Sequence, residues 1–316
     1  MIKNTFQKFG ITIVKNKYIY LMISCILLTG TAWCLAPSQI QYVGVELSVG
    51  YRLFLGSIAI GIFAFFKKEP FPKLSKINIC LLVFNSIFLY GINYILCYSS
   101  LNYIPSGLVS LVVSAMIIPN IFLGYIVLGN KITIKIVSGA FLSLIGLITV
   151  FFSDLDNLKI SDNSIKGFVL SFSSIFFSSL GSVSGGKLIK STNSLYWVTC
   201  LAMFIGSIIV IGFGYYKNNE FMWSYDIKFI ASLLYLSTFI MAFIMVVYQH
   251  IICVYGAEKA SYIWIFTPVI AIFMSIIFED LLWSKHIFLG MLMVIIGSMI
   301  SLIKIPKNKK QRRLKI

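Results

Sequence analysis

The sequence predicts an all-α integral membrane protein of ten transmembrane helices, arranged as two inverted five-helix repeats. Three observations predict it. Of 316 residues, 59% are apolar and 11% charged, with a mean hydropathy of +0.94; a soluble globular chain carries about 25% charged residues. The apolar residues gather into ten long stretches, and the basic residues between them fall mostly on one side. Five spans per half is an odd number, which forces the second half to insert upside down relative to the first. An ordinary water-soluble domain is excluded. So is disorder, which needs low hydrophobicity and high charge.

The stretches run over 18–36, 46–66, 77–99, 104–128, 133–153, 166–186, 195–216, 227–250, 257–278 and 285–303. Backbone groups in hydrocarbon must be satisfied within their own segment, so runs of this length are helices. Strands of a membrane barrel would alternate apolar and polar residues, and no such period is present. Arg52 is the one charge well inside a stretch.

Of 26 Lys and Arg, twenty lie before span 1 or after spans 2, 4, 6, 8 and 10, and five lie on the opposite side. Basic residues accumulate on the cytoplasmic side, so both termini are expected there, with the chain in the inner (plasma) membrane. Topology thereby accounts for the net charge of +16. The tail 304–316 (KIPKNKKQRRLKI) reads as a cytoplasmic anchor, with no nucleic-acid partner expected. The first apolar run exceeds the core of a signal peptide and is followed by no A-x-A site, so it is expected to remain as span 1.

The two halves share an ordered pattern. Span 4 reads SGLVSLVVSAMIIPNIFLGYIVLGN and span 9 reads ASYIWIFTPVIAIFMSIIFED. Pro119 precedes Asn130 by the same interval as Pro268 precedes Glu279, Gly139 and Gly290 follow, and Tyr103 and Tyr255 stand ahead. The polar segment 154–165 (DLDNLKISDNSI) reads as a linker between a first repeat at 18–153 and a second at 166–303.

This pattern, with an Arg early in span 2 (VGYRLFLGSIAI), resembles the EamA-type domain pair of the drug/metabolite transporter superfamily. The resemblance covers about 18–152 and 166–303. It implies a basket of ten helices around a central cavity open alternately to each side, and a permease for a small organic metabolite such as an amino acid, amine, nucleotide-type metabolite or drug. One departure stands out: Asn130 occupies a position where the family usually has Glu, whereas Glu279 keeps it.

Several chemistries find no support. His250 and His286 form no metal-binding pair, and the six cysteines show no CxxC spacing. GSVSGGKL nearly copies a phosphate-binding loop, but Leu188 stands where Ser or Thr must hold magnesium; Gly181 and Gly185 read better as a helix-packing pair. No cofactor, metal or catalytic group is expected, so an enzyme is not. Acids sit at span ends or in loops, which favours an exchanger or uniporter over a proton antiporter. A lipid-linked-group flippase and a membrane-embedded enzyme are the competing functions. Small-molecule substrate and lipid are the expected partners; monomer and homodimer are both open.

The candidate cavity residues are Arg52, Tyr90, Asn93, Tyr94, Tyr98, His250 and Trp264. A lone intramembrane cation costs roughly 2.5–3.5 kcal/mol on insertion scales unless it snorkels, pairs or lines water. Arg52 is either a substrate-anion contact or gate, or a snorkelling side chain paired with a carbonyl or Glu46. Tyr90, Asn93 and Tyr94 recur at i, i+3, i+4 and share one helical face, facing either a cavity or another helix. Counting from Tyr103 and Tyr255 makes Tyr98 and His250 equivalent in the two halves. Trp264 either stacks on substrate or packs. Pro119 and Pro268 each remove a helical hydrogen bond, as hinges or as simple kinks. Trp33 and Tyr42 read as interface anchors.

Overall fold

A helix that meets lipid on one side and protein on the other must be apolar all round, and the second half of the first helix shows this. Phe54, Ile58 and Ile62 share one exposed face, while Val49, Leu53, Ile60 and Ala64 are buried on the other. The computed structural model of the chain describes residues 2–128, 134–157, 162–218, 222–255, 260, 262–279, 281 and 283–302. Every regular element among them is helical. In order these are α1 (Ile2–Phe66), α2 (Lys76–Asn85), a π-helical turn (Ser86–Ile92), α3 (Asn93–Ser100), α4 (Ser106–Ser114) and α5 (Ile117–Leu128). There follow α6 (Ile134–Asn157), α7 (Asp162–Thr192), α8 (Tyr196–Asn218), α9 (Ile227–Tyr235) and a second π-helical turn (Leu236–Ile244). The chain closes with α10 (Met245–Tyr255), α11 (Tyr262–Phe278) and α12 (Lys285–Leu302).

Among the described residues, five helical runs are long and apolar enough to cross a membrane: Tyr20–Phe66, Lys76–Ser100, Ser164–Thr192, Tyr196–Lys217 and Ile227–Cys253. Shorter apolar helices cover Ser106–Asn120, Val137–Val150, Ile263–Phe278 and Lys285–Ile300. This is the make-up of a multi-pass membrane protein. Within the segment expected as a linker, 154–165, α6 runs to Asn157 and α7 begins at Asp162; residues 158–161 lie outside the described residues. Asn130 and the tail 304–316 lie outside the described residues.

Where the sequence suggests a loop between residues 36 and 46, the chain stays helical up to Gly44, whose non-helical backbone (φ 74°, ψ 172°) divides α1 into two helices. That backbone region is open essentially to glycine alone. Nothing lies within 4 Å of where a Cβ would stand, so the demand is conformational and not steric. Gly44→Ala is expected to cost about 1–3 kcal/mol, read as a lower thermal midpoint in detergent; an unchanged midpoint would mean that the turn is made elsewhere.

Small residues let the helices meet at backbone distance. In the α6–α12 pair, a Cβ at Gly146 would lie 2.6 Å from the Gly290 carbonyl oxygen, and one at Gly297 would lie 2.5 Å from that of Gly139. Ser143, midway between the α6 glycines, donates to the Val294 carbonyl at 3.2 Å. Gly181 on α7 abuts the backbone of Leu89, and Asn85 Nδ2 donates to the Gly181 carbonyl at 2.7 Å. The glycines of GSVSGGKL therefore serve close packing, as their spacing suggests.

Candidate functional site

A cavity lies in the interior, with about 700 Å³ of empty space counting the open solvent at its mouth. Its walls come from both halves of the chain. α1 supplies Thr29, Ala32 and Trp33; the segment from the first π turn into α3 supplies Leu89, Asn93, Tyr94, Cys97 and Tyr98; α7 supplies Ile175 and Ser178. Across from them stand Met245 and Tyr248 of α10 and Trp264 of α11. Of the seven residues picked from sequence, Asn93, Tyr94, Tyr98 and Trp264 line this space. Arg52, Tyr90 and His250 do not.

The reason Tyr90 leaves the stripe is local. Its i, i+3, i+4 relation to Asn93 and Tyr94 assumes an α-helix, but residues 86–92 wind as a π turn. The i→i+5 pattern shifts the residues ahead of it around the axis. Tyr90 is turned against Gly206 of α8, whose missing side chain makes the room, and is fully buried. A second π turn at 236–244 does the same work in the other half, before Met245 and Tyr248. In place of His250, Tyr248 faces the cavity from α10.

Along one wall the rings form a stack. Trp33 and Tyr98 lie 6.3 Å apart between centroids at 17°, and Tyr98 and Tyr94 lie 5.8 Å apart at 18°. Trp33 is thus a cavity residue and not an interface anchor. The small and polar residues Cys25, Thr29, Ala32 and Ala36 share its helical face and are buried with it; their helical spacing in the sequence is the signal for an inward-facing Trp33. Tyr42, the other expected anchor, donates to Asp226 at 3.1 Å.

Arg52 sits behind this wall. Its guanidinium carbon lies 4.8 Å from the centre of the Tyr98 ring. Nε donates to Gln39 Oε1, and one terminal nitrogen donates to Ser48 Oγ at 2.7 Å. Ser48 Oγ in turn donates to Gln39 Oε1 at 3.0 Å. Glu46 is not the partner of Arg52: it pairs with Lys217 at 2.6 Å instead. Arg52 is therefore held by neutral groups and does not snorkel, being wholly inaccessible. Its remaining terminal nitrogen, Nη1, has no hydrogen-bond partner among the described residues. Gln39, which holds Arg52, stands with Ser38 and Gln41 in the short polar stretch between spans 1 and 2, where composition gives it no distinction.

Across the cavity, Tyr248 and Trp264 meet edge to face, 5.7 Å between centroids. The Tyr248 hydroxyl and the Trp264 indole nitrogen are buried close to each other, to Ser182 and to Asn120, none of these at full hydrogen-bond distance from them. Met245 Sδ accepts weakly from the Tyr94 hydroxyl at 3.9 Å.

The two prolines are placed differently. Pro268 is inside α11, where it leaves the Trp264 carbonyl without its helical donor. Pro119 is the third residue of α5, not in mid-helix. The span it belongs to breaks earlier, at Ala115–Met116, and the Ala115 carbonyl that Pro119 would have freed accepts from Ile118 N–H at 2.9 Å. A first-turn Pro initiates a helix without the loss expected of an internal one.

Glu279 gains a physical role. One of its carboxylate oxygens accepts from the Ser106 backbone N–H at 2.8 Å and from Ser275 Oγ. It thus closes the N-terminus of α4, whose own Ncap is Pro105 and makes no side-chain cap.

Comparison with known proteins places these features. Residues 16–152 match the EamA-like transporter family. The chain is 24% identical over 287 residues to the uncharacterized transporter YvbV of Bacillus subtilis (strain 168), covering 89% of this chain and 90% of that one. A solved crystal structure, 12% identical, superposes with a TM-score of 0.66 over 90% of this chain and 96% of the other. At that identity the likeness is one of fold.

Proposed function

We propose that the chain, a membrane transporter similar over residues 16–152 to the EamA-like transporter family, carries a small organic metabolite by alternating access through the cavity described above. The observation that carries this reading is the cavity itself: an interior space bounded by aromatic and hydroxyl groups from both halves of the chain. Interior polar groups in a membrane protein are costly unless they face one another, water or a solute.

The reading includes two inverted repeats of five spans with both termini cytoplasmic in the inner membrane. Inverted repeats related by an axis in the membrane plane bring helices against their own counterparts. The pairings of α6 with α12, of α4 with α11, and of the second half of α1 with α8 are what such an axis would produce. Gly139 and Gly146 crossing Gly297 and Gly290 have the same sense. Each half also interrupts its third span with a π turn, after a first α-helical piece of 10 residues in one and 9 in the other. We assign the bending needed for access to these two turns and to Pro268; Pro119 contributes by starting α5 after the break at Ala115–Met116. Asn93, Tyr94, Tyr98 and Trp264 contact the solute, while Arg52 stands behind Tyr98.

The test is uptake of a labelled metabolite panel, spanning amino acids, amines, nucleotide-type metabolites and organic acids, into proteoliposomes with and without a pH gradient. Movement of at least one solute above protein-free vesicles is expected. If none moves under any gradient, the permease reading fails.

A further inference from the structure

Three properties of the cavity bear on what it holds, granting the permease reading on which they rest. The first is charge. Among the described residues no Asp or Glu lines it, and Arg52, a cation close by, is held by the neutral side chains of Gln39, Ser48 and Tyr98. A positive field in a low-dielectric interior that no carboxylate cancels repels a second cation and attracts an anion.

The second is hydrogen-bond polarity. An indole N–H can only donate, and a buried donor without an acceptor is unfavourable. Trp264 Nε1 and the Tyr248 hydroxyl meet at the cavity wall beside Ser182 and Asn120, with no partner at full hydrogen-bond distance. A solute bearing acceptor oxygens would satisfy both. The third is shape. The nearly parallel rings of Trp33, Tyr98 and Tyr94 offer a flat wall, with Met245 facing it. Flat aromatic surfaces favour flat solutes.

An aromatic enclosure also suits quaternary ammonium groups. Here that use is pre-empted: the guanidinium of Arg52 already lies 4.8 Å from the centre of the Tyr98 ring, and none of the described lining residues is an acid that could balance a second positive charge.

We propose that the cargo is a planar aromatic anion, its ring laid along the Trp33–Tyr98–Tyr94 wall and its acidic head accepting from Tyr248 and Trp264. Arg52 supplies the compensating charge from behind Tyr98. Carboxylate and phosphate heads share this chemistry.

Quenching of intrinsic tryptophan fluorescence in the purified full chain reports binding, because Trp33 and Trp264 line the cavity. The probes are benzoate, phenyl phosphate, neutral benzamide and benzyltrimethylammonium, with uptake of each into proteoliposomes as a second readout. Benzoate or phenyl phosphate is expected to bind most tightly and to move. An uncancelled charge across a small cavity at an effective dielectric of about 20 is worth on the order of tenfold in affinity. Arg52→Gln should therefore weaken the anions about tenfold and leave benzamide within about twofold, while Arg52→Lys restores the anions. Should Arg52→Gln fail to fold, Tyr248→Phe carries the test: it removes one donor to a charged acceptor and should weaken the anions on the order of tenfold. Preference for benzyltrimethylammonium, or benzamide binding equal to benzoate, overturns the anion assignment and leaves the transporter reading standing. Binding of none of the four overturns the aromatic-anion assignment as well, and the metabolite panel above then decides the permease reading separately.

Discussion

Gly297→Val is expected to unseat α12 from α6 and lower the thermal midpoint in detergent by roughly 6 °C or more, at about 2–4 °C per kcal/mol for a chain of this order of size. A Cβ at Gly297 would stand 2.5 Å from the Gly139 carbonyl oxygen and 2.6 Å from both the backbone nitrogen and Oγ of Ser143. Two of these atoms are backbone and cannot rotate away, so the helices themselves would have to part. Overpacking a well-fitted site costs typically about 1–3 kcal/mol and sometimes more; a backbone clash belongs at the upper end. Separation would also stretch the Ser143–Val294 and Ser143–Ser298 hydrogen bonds, now 3.2 and 3.3 Å. Gly212→Val is the control, because nothing lies within 4 Å of its Cβ position. Equal midpoints for the two variants would refute the α6–α12 contact.

Glu69→Ala should be the second severe change, at about 2–3 kcal/mol. Glu69 follows α1 in the short connection to α2, yet its carboxylate closes the N-terminus of α8. It accepts from the N–H groups of Leu195 at 2.8 Å, Tyr196 at 3.1 Å and Trp197 at 3.0 Å, and from Ser194 Oγ at 3.2 Å. Its own carbonyl accepts from Trp197 Nε1 at 2.8 Å. Loss of an ordinary cap costs about 0.5–2 kcal/mol, and charge-assisted bonds are roughly twice as strong as neutral ones. A negative charge there also complements the positive end of the helix. Glu69→Gln keeps an acceptor but loses the charge, so about half the effect is expected. The readout is the thermal midpoint at low and high salt. An alanine variant as stable as the parent would show that α8 does not depend on this residue.

Glu69 and Glu279 show where sequence reading stops. Each sits in or beside a loop, where an acid is unremarkable by composition. Each closes a helix distant in sequence, Glu69 that of α8 and Glu279 that of α4. A family pattern marks Glu279 without giving a reason for it, and nothing in the sequence around Glu69 marks it at all. Likewise the stripe Tyr90–Asn93–Tyr94 was legible because a 3.6-residue period is simple arithmetic. Its breakage was not, because nothing in SIFLYGI marks a π turn.

What the sequence alone determined was the solvent. Long apolar runs leave a chain no alternative to helices in a bilayer, since each run must satisfy its backbone unaided, and a single Arg among them announces a polar interior. Tertiary structure decided which face of each helix looks inward and who partners whom. It gave Arg52 to Gln39 and Ser48 and left Glu46 to Lys217, and it moved Trp33 from the lipid boundary to the cavity wall. In a chain apolar on every side, hydrophobicity no longer distinguishes core from surface. Close approach at glycines and the few available hydrogen bonds make that choice, and both depend on distances that exist only once the helices have met.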